Sequence, residues 1–359
     1  LALAERDVSP SKTARLPGAQ ERLLERWTEK IAAARTTPPP WIRDADRRIP
    51  AISISGTNGK STVSRLITHI LIGAGKRVGT TTSDGVLTGP GGAQQVLRRS
   101  DIDVAVLETA RGGIVLRGMG YESNDASVLT NVSSDHLDLQ GIHTLPELAE
   151  VKSTICRVTK ASGWVVLNAD DALVAAVGRR VRANAAYFSA ASALPGVLRR
   201  HVRGGGRAYI VRDGTIMELE GDRESSIVEV RRVPITIGGL ARHNVANALA
   251  AAGGARGLGA TLAQVRDGLS DFAPSSDRSP GRLNLFRLGS RVVIVDFAHN
   301  EAGIDAVMDV AEGIAAGGAG RTAPISPIGC LLAATALPTA HQPVWLRGAA
   351  GTKIRMWLS

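Results

Sequence analysis

Ala51-Ile52-Ser53-Ile54-Ser55-Gly56-Thr57-Asn58-Gly59-Lys60-Ser61-Thr62 is the stretch whose reading decides the fold. An apolar run ends in a turn bearing two glycines, and a helical pattern starts at the Lys-Ser pair. Backbone N–H groups of such a loop converge on an anion, and the helix N-terminus adds positive potential. Lys60 has the reach for the outer phosphates of a nucleotide, and the Ser61 hydroxyl suits Mg2+. Ile54 stands where a strict GxxxxGK[ST] motif has its first glycine. The alternative is a glycine turn with an exposed lysine; the full strand–loop–helix context favours phosphate binding.

Outward from this loop the pattern repeats. Apolar strands are predicted at 51–55, 104–107, 127–129, 164–167 and 292–295, and helices near 60–74, 145–160, 244–256 and 301–315. That alternation argues for α/β layers around a mostly parallel sheet. Asp213-Gly214 between two apolar runs signals a hairpin, and 233–237 reads as a further strand, so a small antiparallel patch is expected on the sheet. Residues 19–35 read as an amphipathic helix, stopped by Thr36-Thr37-Pro38-Pro39-Pro40. The expected organisation is a helical segment and proline linker (1–48), a P-loop-type central domain (49–278), and an incomplete α/β C-terminal domain (279–359). After Glu312 no acidic residue remains and neither helical nor strand periodicity is clear, so the tail is expected to pack poorly.

Composition narrows the function classes. The 359 residues carry a formal charge of +10, but no Lys/Arg block stands out and only 3% of residues are aromatic. Stacking platforms for single strands are therefore scarce, and no nucleic-acid partner is expected. The two cysteines, Cys156 and Cys330, form no CxxC, which excludes a cysteine-built zinc site and fits a reducing, cytoplasmic setting. No apolar run is long enough for a membrane span.

In open α/β sheets ligands collect outside the carboxyl ends of the strands. Glu108 ends one predicted strand and is followed by Thr109-Ala110-Arg111-Gly112-Gly113; Asn131 ends another and is followed by Asp135-His136. Glu108 and His136 thus belong to the crevice of Lys60, as Mg2+ ligands or groups behind them. Lys152 ends a predicted helix nearby, where an isolated lysine is ordinarily a solvated charge. Asn168, Asp170 and Asp171 follow another strand as a turn or a substrate-facing edge. His243-Asn244-x-x-Asn247 opens a helix, where Asn244 is a candidate N-cap. Asp296 ends a late strand and precedes Ala298-His299-Asn300.

Taken in order, these residues resemble the Mur-type ATP-dependent amide ligases. Gly56–Ser61, Glu108, Asn131 to His136, Lys152, His243-Asn244-x-x-Asn247, Gly281-Arg282 and Asp296-x-Ala298-His299-Asn300 carry the resemblance. LETARGG, SSDHLDLQGIHTLPELAEVK and LNADD look like the Mur-ligase half of the cyanophycin-synthetase branch. The resemblance covers roughly residues 49–312. It implies ATP and Mg2+, an acyl-phosphate intermediate, and amide formation between a small-molecule or peptide carboxylate and an amino-acid amine. It also implies roles: Gly56, Thr57, Asn58, Gly59, Lys60, Ser61 and Thr62 on the phosphates; Asn244 and Asn247 on the adenine side; and Arg282 and Asp296 on the nucleotide. Ser61 and Glu108 would hold one metal, and His136 with a carbamylated Lys152 a second. Lys60, His136 and Lys152 would be the catalytic set. A poly-γ-glutamate-synthase-like ligase and a catalytically impaired nucleotide-binding module are the alternatives. Two departures stand out. Only about 48 residues precede the core, which argues against a UDP-linked substrate. No further βα units are recognisable after Glu312, which predicts impaired catalysis.

Overall fold

The computed structural model describes residues 41–82, 90–134, 137–275, 278–288, 291–298, 300–318, 329–332, 343–347 and 353–357. The expected helix at 19–35, its proline stop, Asp135, His136 and His299 lie outside these residues.

β1 (Ala51–Ser55) is buried at every position. It lies between β3 (Val104–Glu108) and β4 (Asn124–Leu129) in a nine-stranded sheet of order β2-β3-β1-β4-β5-β6-β7-β8-β9. The other strands are β2 (Val78–Thr81), β5 (Thr159–Asn168), β6 (Asn184–Ser189), β7 (Arg207–Arg212), β8 (Thr215–Glu220) and β9 (Arg223–Glu229). From β2 to β7 every pairing is parallel; β7–β8 and β8–β9 are antiparallel. The expected hairpin is present, with Asp213 and Gly214 at φ 48° and 71°, as a two-residue turn matched to strand twist requires.

The expected strand at 233–237 is not one. Pro234 opens a 3-10 turn, Pro234–Gly239, in which Ile237 takes φ 51° and ψ 54°. Val233 and Ile235 are buried in the core of the large sheet, while Ile237 packs against a separate cluster with Leu283, Ile294 and Val307. The run is apolar because it feeds two cores, not because it alternates across one sheet.

Helices cover both faces of the sheet. On one face lie α1 (Lys60–Gly73), α8 (Arg242–Gly257) and α9 (Leu262–Asp271); on the other lie α2 (Pro90–Arg98), α3 (Arg111–Arg117), α4 (Leu145–Lys152), α5 (Thr154–Arg157), α6 (Ala172–Val177) and α7 (Gly196–Arg203). In α1, Val63, Leu66, Ile67 and Ile70 are fully buried, each contributing roughly 1.5–3 kcal/mol of apolar transfer. α8 is built of alanine and glycine because it is wedged: a Cβ at Gly254 would lie 2.7 Å from Ile67 Cδ1 of α1. The helix expected near 145–160 is instead α4, opened by the Thr144/Glu147 capping box, then α5, then the start of β5.

A second sheet has the order β10-β11-β12-β14-β13, from β10 (Asn284–Leu288), β11 (Arg291–Asp296), β12 (Gly329–Leu332), β13 (Pro343–Arg347) and β14 (Lys353–Trp357). α10 (Glu301–Gly318) links β11 to the parallel β12, a βα crossover reaching into the stretch where periodicity is weak.

Candidate functional site

The loop after β1 is clamped onto the end of β4. Thr57 N–H donates to Asn131 O (2.9 Å), Asn58 N–H to Asn131 Oδ1 (2.8 Å), and Thr130 Oγ1 to Asn58 O (2.7 Å). The Asn131 amide donates back to Asn58 O (3.1 Å), so one side chain orders both polar groups of the turn. Gly56 and Gly59 have φ 148° and 87°, conformations that side chains resist. A Cβ would also lie 1.9 Å from Thr130 Oγ1 at Gly56 and 2.3 Å from Asn247 Oδ1 at Gly59. Gly59 is the N-cap of α1 and leaves that helix without a side-chain cap.

Two lysines meet on one carbonyl. Lys60 Nζ donates to Gly56 O (3.0 Å) and Thr57 O (2.8 Å), and Lys152 Nζ donates to the same Gly56 O (2.8 Å). Lys152 is only 5% exposed, so it is not the solvated helix charge that its isolated position suggests. Glu108 ends β3 level with Ile54, one residue before the end of β1. Ser61 is buried in the first turn of α1.

Asn168, Asp170 and Asp171 brace the turn. The Asn168 amide donates to Thr130 O (2.8 Å); Asp171 accepts from Leu173 and Val174 N–H at the start of α6 and from Val132 N–H (2.7 Å). Asp170 takes the Ser189 hydroxyl and Ala190 N–H. Asn244 is not an N-cap: it sits inside the first turn of α8, and its amide donates to Ile235 O (2.9 Å). Asn247 Nδ2 donates to Asn244 Oδ1 (3.0 Å). Burial pulls the neighbouring His243 imidazole down to about 4, against the opposing charge of Asp309 on α10.

The opposite wall comes from the second sheet. Arg282 Nη2 reaches Ser61 Oγ at 3.4 Å and stacks its guanidinium 5.6 Å from the Phe297 ring centre. Asp296 Oδ2 accepts from Leu283 N–H (2.7 Å). Asn58 and Asn300 form a reciprocal amide pair, Asn58 Nδ2 to Asn300 Oδ1 (3.1 Å) and Asn300 Nδ2 to Asn58 Oδ1 (3.0 Å). Asn300 Oδ1 also accepts Gly303 N–H in the first turn of α10. The position of Asn300 was legible, but its partner was not, since 242 residues separate the two. Between the walls lies a cavity of about 360 Å³ lined by Asn58, Gly59, His243, Asn247, Arg282 and Asp296, among others. A larger, more open cleft of about 920 Å³ beside Arg212, Gly238 and Arg242 contains none of the loop residues.

The structure thus brings Gly56–Thr62, Asn244, Asn247, Arg282 and Asp296 around one crevice, with Lys152 beneath the loop and Glu108 at the adjoining strand end. His136 lies outside the described residues.

A family model described as Mur ligase middle domain matches residues 54–255. Cyanophycin synthetase of Synechocystis sp. is 43% identical over 273 residues, covering 73% of this chain and 31% of that protein. The chain therefore spans about a third of the length of the cyanophycin synthetases it matches. Among solved structures, MurF from Acinetobacter baumannii superposes with a TM-score of 0.56 at 18% identity, covering 79% of this chain and 63% of that one. E. coli FolC in complex with DHPP and ADP gives 0.54 at 20% identity over 79% and 67%. These structural likenesses concern the fold, while the family match spans the glycine loop after β1, both lysines, Asn244 and Asn247; the chain belongs to the Mur ligase family.

Proposed function

We propose that this protein is an ATP- and Mg2+-dependent ligase that joins a carboxylate to an amino-acid amine through an acyl phosphate, in the manner of cyanophycin synthetase. The observation that carries the reading is the meeting of Lys60 and buried Lys152 on the Gly56 carbonyl, under a glycine loop closed by Asn131. The division proposed with it is a central nucleotide-binding unit to about residue 278 and a closing unit beyond. We place the protein in the cytoplasm; among the described residues no helix is long and apolar enough to cross a membrane.

The donor set fits the two groups this reading needs. A nucleotide's phosphates suit a loop whose glycines leave no room for a Cβ. Ser61 and Glu108 would hold Mg2+, and among the described residues no group of three or more His, Cys, Asp or Glu forms a cage. That suits an ion that keeps its waters and takes one or two protein oxygens plus phosphates. When bound, Mg2+ neutralises phosphate charge. Lys60 would exchange its two carbonyl acceptors for phosphate oxygens, a charge-assisted bond in place of neutral ones. Arg282 and Asp296 would hold the nucleotide from the second sheet, and Asn244 and Asn247 the adenine side.

Phosphoryl transfer is mostly positioning and charge neutralisation. The acid's carboxylate oxygen attacks the γ-phosphorus as the bond to the ADP oxygen breaks. The amine nitrogen then attacks the acyl carbon, phosphate leaves, and the nitrogen loses its proton. Two ammonium groups on one carbonyl repel each other. A carbamate on Lys152 would replace that repulsion with attraction and, with His136, supply oxygen and nitrogen donors for a second Mg2+.

Calorimetry with Mg-ATP tests the reading. The wild type is expected to bind, and Lys60→Ala to bind about 100-fold more weakly, the loss of a charge-assisted contact of roughly 3 kcal/mol. Equal affinities would remove the phosphate loop from the mechanism. Amine-dependent ADP release then separates a ligase from a module that only binds nucleotide.

A further inference from the structure

Between Ala172 and Arg212 the chain has eight arginines and not one Asp or Glu. Three of them are paired with carboxylates from elsewhere: Arg180 with Glu150, Arg207 with Glu220 and Arg212 with Glu224. The other five, Arg179, Arg182, Arg199, Arg200 and Arg203, are exposed, and among the described residues none has a carboxylate partner.

The fold gathers four of these charges, Arg179, Arg182, Arg200 and Arg203, at one place, while Arg199 lies in the first turn of α7. α6 crosses from β5 to β6 and α7 from β6 to β7, all three strands being parallel. Both helices therefore end at the edge where β6 and β7 begin, opposite the edge that carries the phosphate loop. Tyr187 of β6 ties the two ends together. Its hydroxyl donates to Ala175 O (3.2 Å) and fills the space a Cβ at Gly178 would need, and its ring packs edge-on to His201 at 4.9 Å. Gly178 precedes Arg179 and Arg180, and His201 lies between Arg200 and Arg203.

The plain structural account is that these arginines offset helix dipoles. Each helix C-terminus carries roughly −0.5 charge, so two helices absorb about one of the four cations at this edge. The remainder is a net positive surface. We propose that this edge is a docking surface for an acidic polypeptide segment, its carboxylates engaged by the guanidinium forks of Arg179, Arg182 and Arg203. Guanidinium groups bind carboxylates bidentately, which a diffuse row of lysines would not do. Nucleic acid fits less well: Tyr187, Phe188 and Tyr209, the aromatic residues of the stretch, are buried, so no ring is offered to a base. The surface is independent of the ligase reading, because none of its residues lines the nucleotide crevice.

The test is fluorescence anisotropy of a labelled poly-L-aspartate peptide with the full chain, beside a variant carrying Arg179→Glu, Arg182→Glu and Arg203→Glu. The wild type is expected to bind with an affinity that falls as salt rises, and the variant to bind at least about tenfold more weakly, as three contacts of roughly 0.5 kcal/mol each imply. Mg-ATP binding measured on both proteins is expected to be equal, which separates failure of this surface from misfolding or from failure of the nucleotide site. Undiminished peptide binding by the variant overturns the proposal. So does no binding by the wild type, which leaves the arginines as helix-end counter-charges. Tighter binding of a charge-matched DNA duplex than of the peptide overturns it in favour of nucleic acid.

Discussion

The two walls of the crevice are built in opposite ways. The glycine-loop wall is one continuous segment, β1 through α1, held by Thr130 and Asn131 just after the adjoining β4 and backed by the extensive core of the nine-stranded sheet. The facing wall is assembled from Arg282, Asp296 and Asn300 around a described core of Leu283, Ile294, Ala298, Val307, Val310 and Ala311, to which the large-sheet side lends Ala241. Local geometry dictates the first wall. The second depends on contacts that cross the seam, such as Asn58–Asn300, Ser61–Arg282 and Arg65–Ser279. The glycine loop is held by hydrogen bonds within one sheet, and the wall that completes the crevice is attached by a few replaceable hydrogen bonds.

The hardest blow to this contrast is Gly59→Ala. The new Cβ meets Asn247 Oδ1 at 2.3 Å in a backbone with φ 87°. Overlap and backbone strain each cost about 1–3 kcal/mol, so a loss of roughly 2–6 kcal/mol in urea unfolding is expected, together with loss of Mg-ATP binding in calorimetry. A variant within about 0.5 kcal/mol of wild type would mean that the loop is softer than its clamps imply.

The seam has its own signature in pH. His243 is neutral in the folded protein down to about 4, whereas in the unfolded chain it takes a proton near its ordinary value of 6.5. Across that window the unfolded state binds more protons, so stability rises with pH and is lost as pH falls toward the folded value. Between about pH 7 and about pH 5 the expected loss is about 1–2 kcal/mol. The loss should be absent from His243→Gln, and so appear as the difference between the two proteins followed over the same range. Parallel curves for the two proteins would show that the seam does not exclude water from the imidazole.

Asn300→Ala probes the second wall most gently. It removes both bonds to Asn58 and the bond from Gly303 N–H while leaving the loop's own clamps intact. Neutral hydrogen bonds contribute about 0.5–1.5 kcal/mol net, so Mg-ATP affinity is expected to fall about 3- to 10-fold with little change in the stability of the large sheet. If affinity falls as far as in Lys60→Ala, the two walls are one unit and the contrast collapses.

Much of the first wall was legible because its signals are local. The apolar run 51–55, the glycines, the Lys-Ser pair and the Asp213-Gly214 turn each act within a few residues, and each was found in the expected element. Legibility failed where one segment serves two masters. The run 233–237 alternates like a strand, but Pro234 and the pull of Ile237 toward the second core turn it into a 3-10 loop. Lys152 shows the same limit: its helix was foreseen, yet only the tertiary fold buries it against Gly56. Asn244 looked like a helix cap because capping is what an asparagine at a helix start usually does. Here the preceding 3-10 turn supplies Ile235 O as its partner instead.

By itself, the sequence determined the layered α/β fold, the glycine loop between β1 and α1 and the residue types at the strand ends, since periodicity, turn chemistry and glycine geometry act over short spans. Only the tertiary structure decided which distant side chains meet. The pairing of Asn58 with Asn300, the two lysines on one carbonyl and the arginine edge around Tyr187 depend on strand order and helix crossing. Hydrogen bonds and charges act over a few ångströms in space, whatever the distance along the chain.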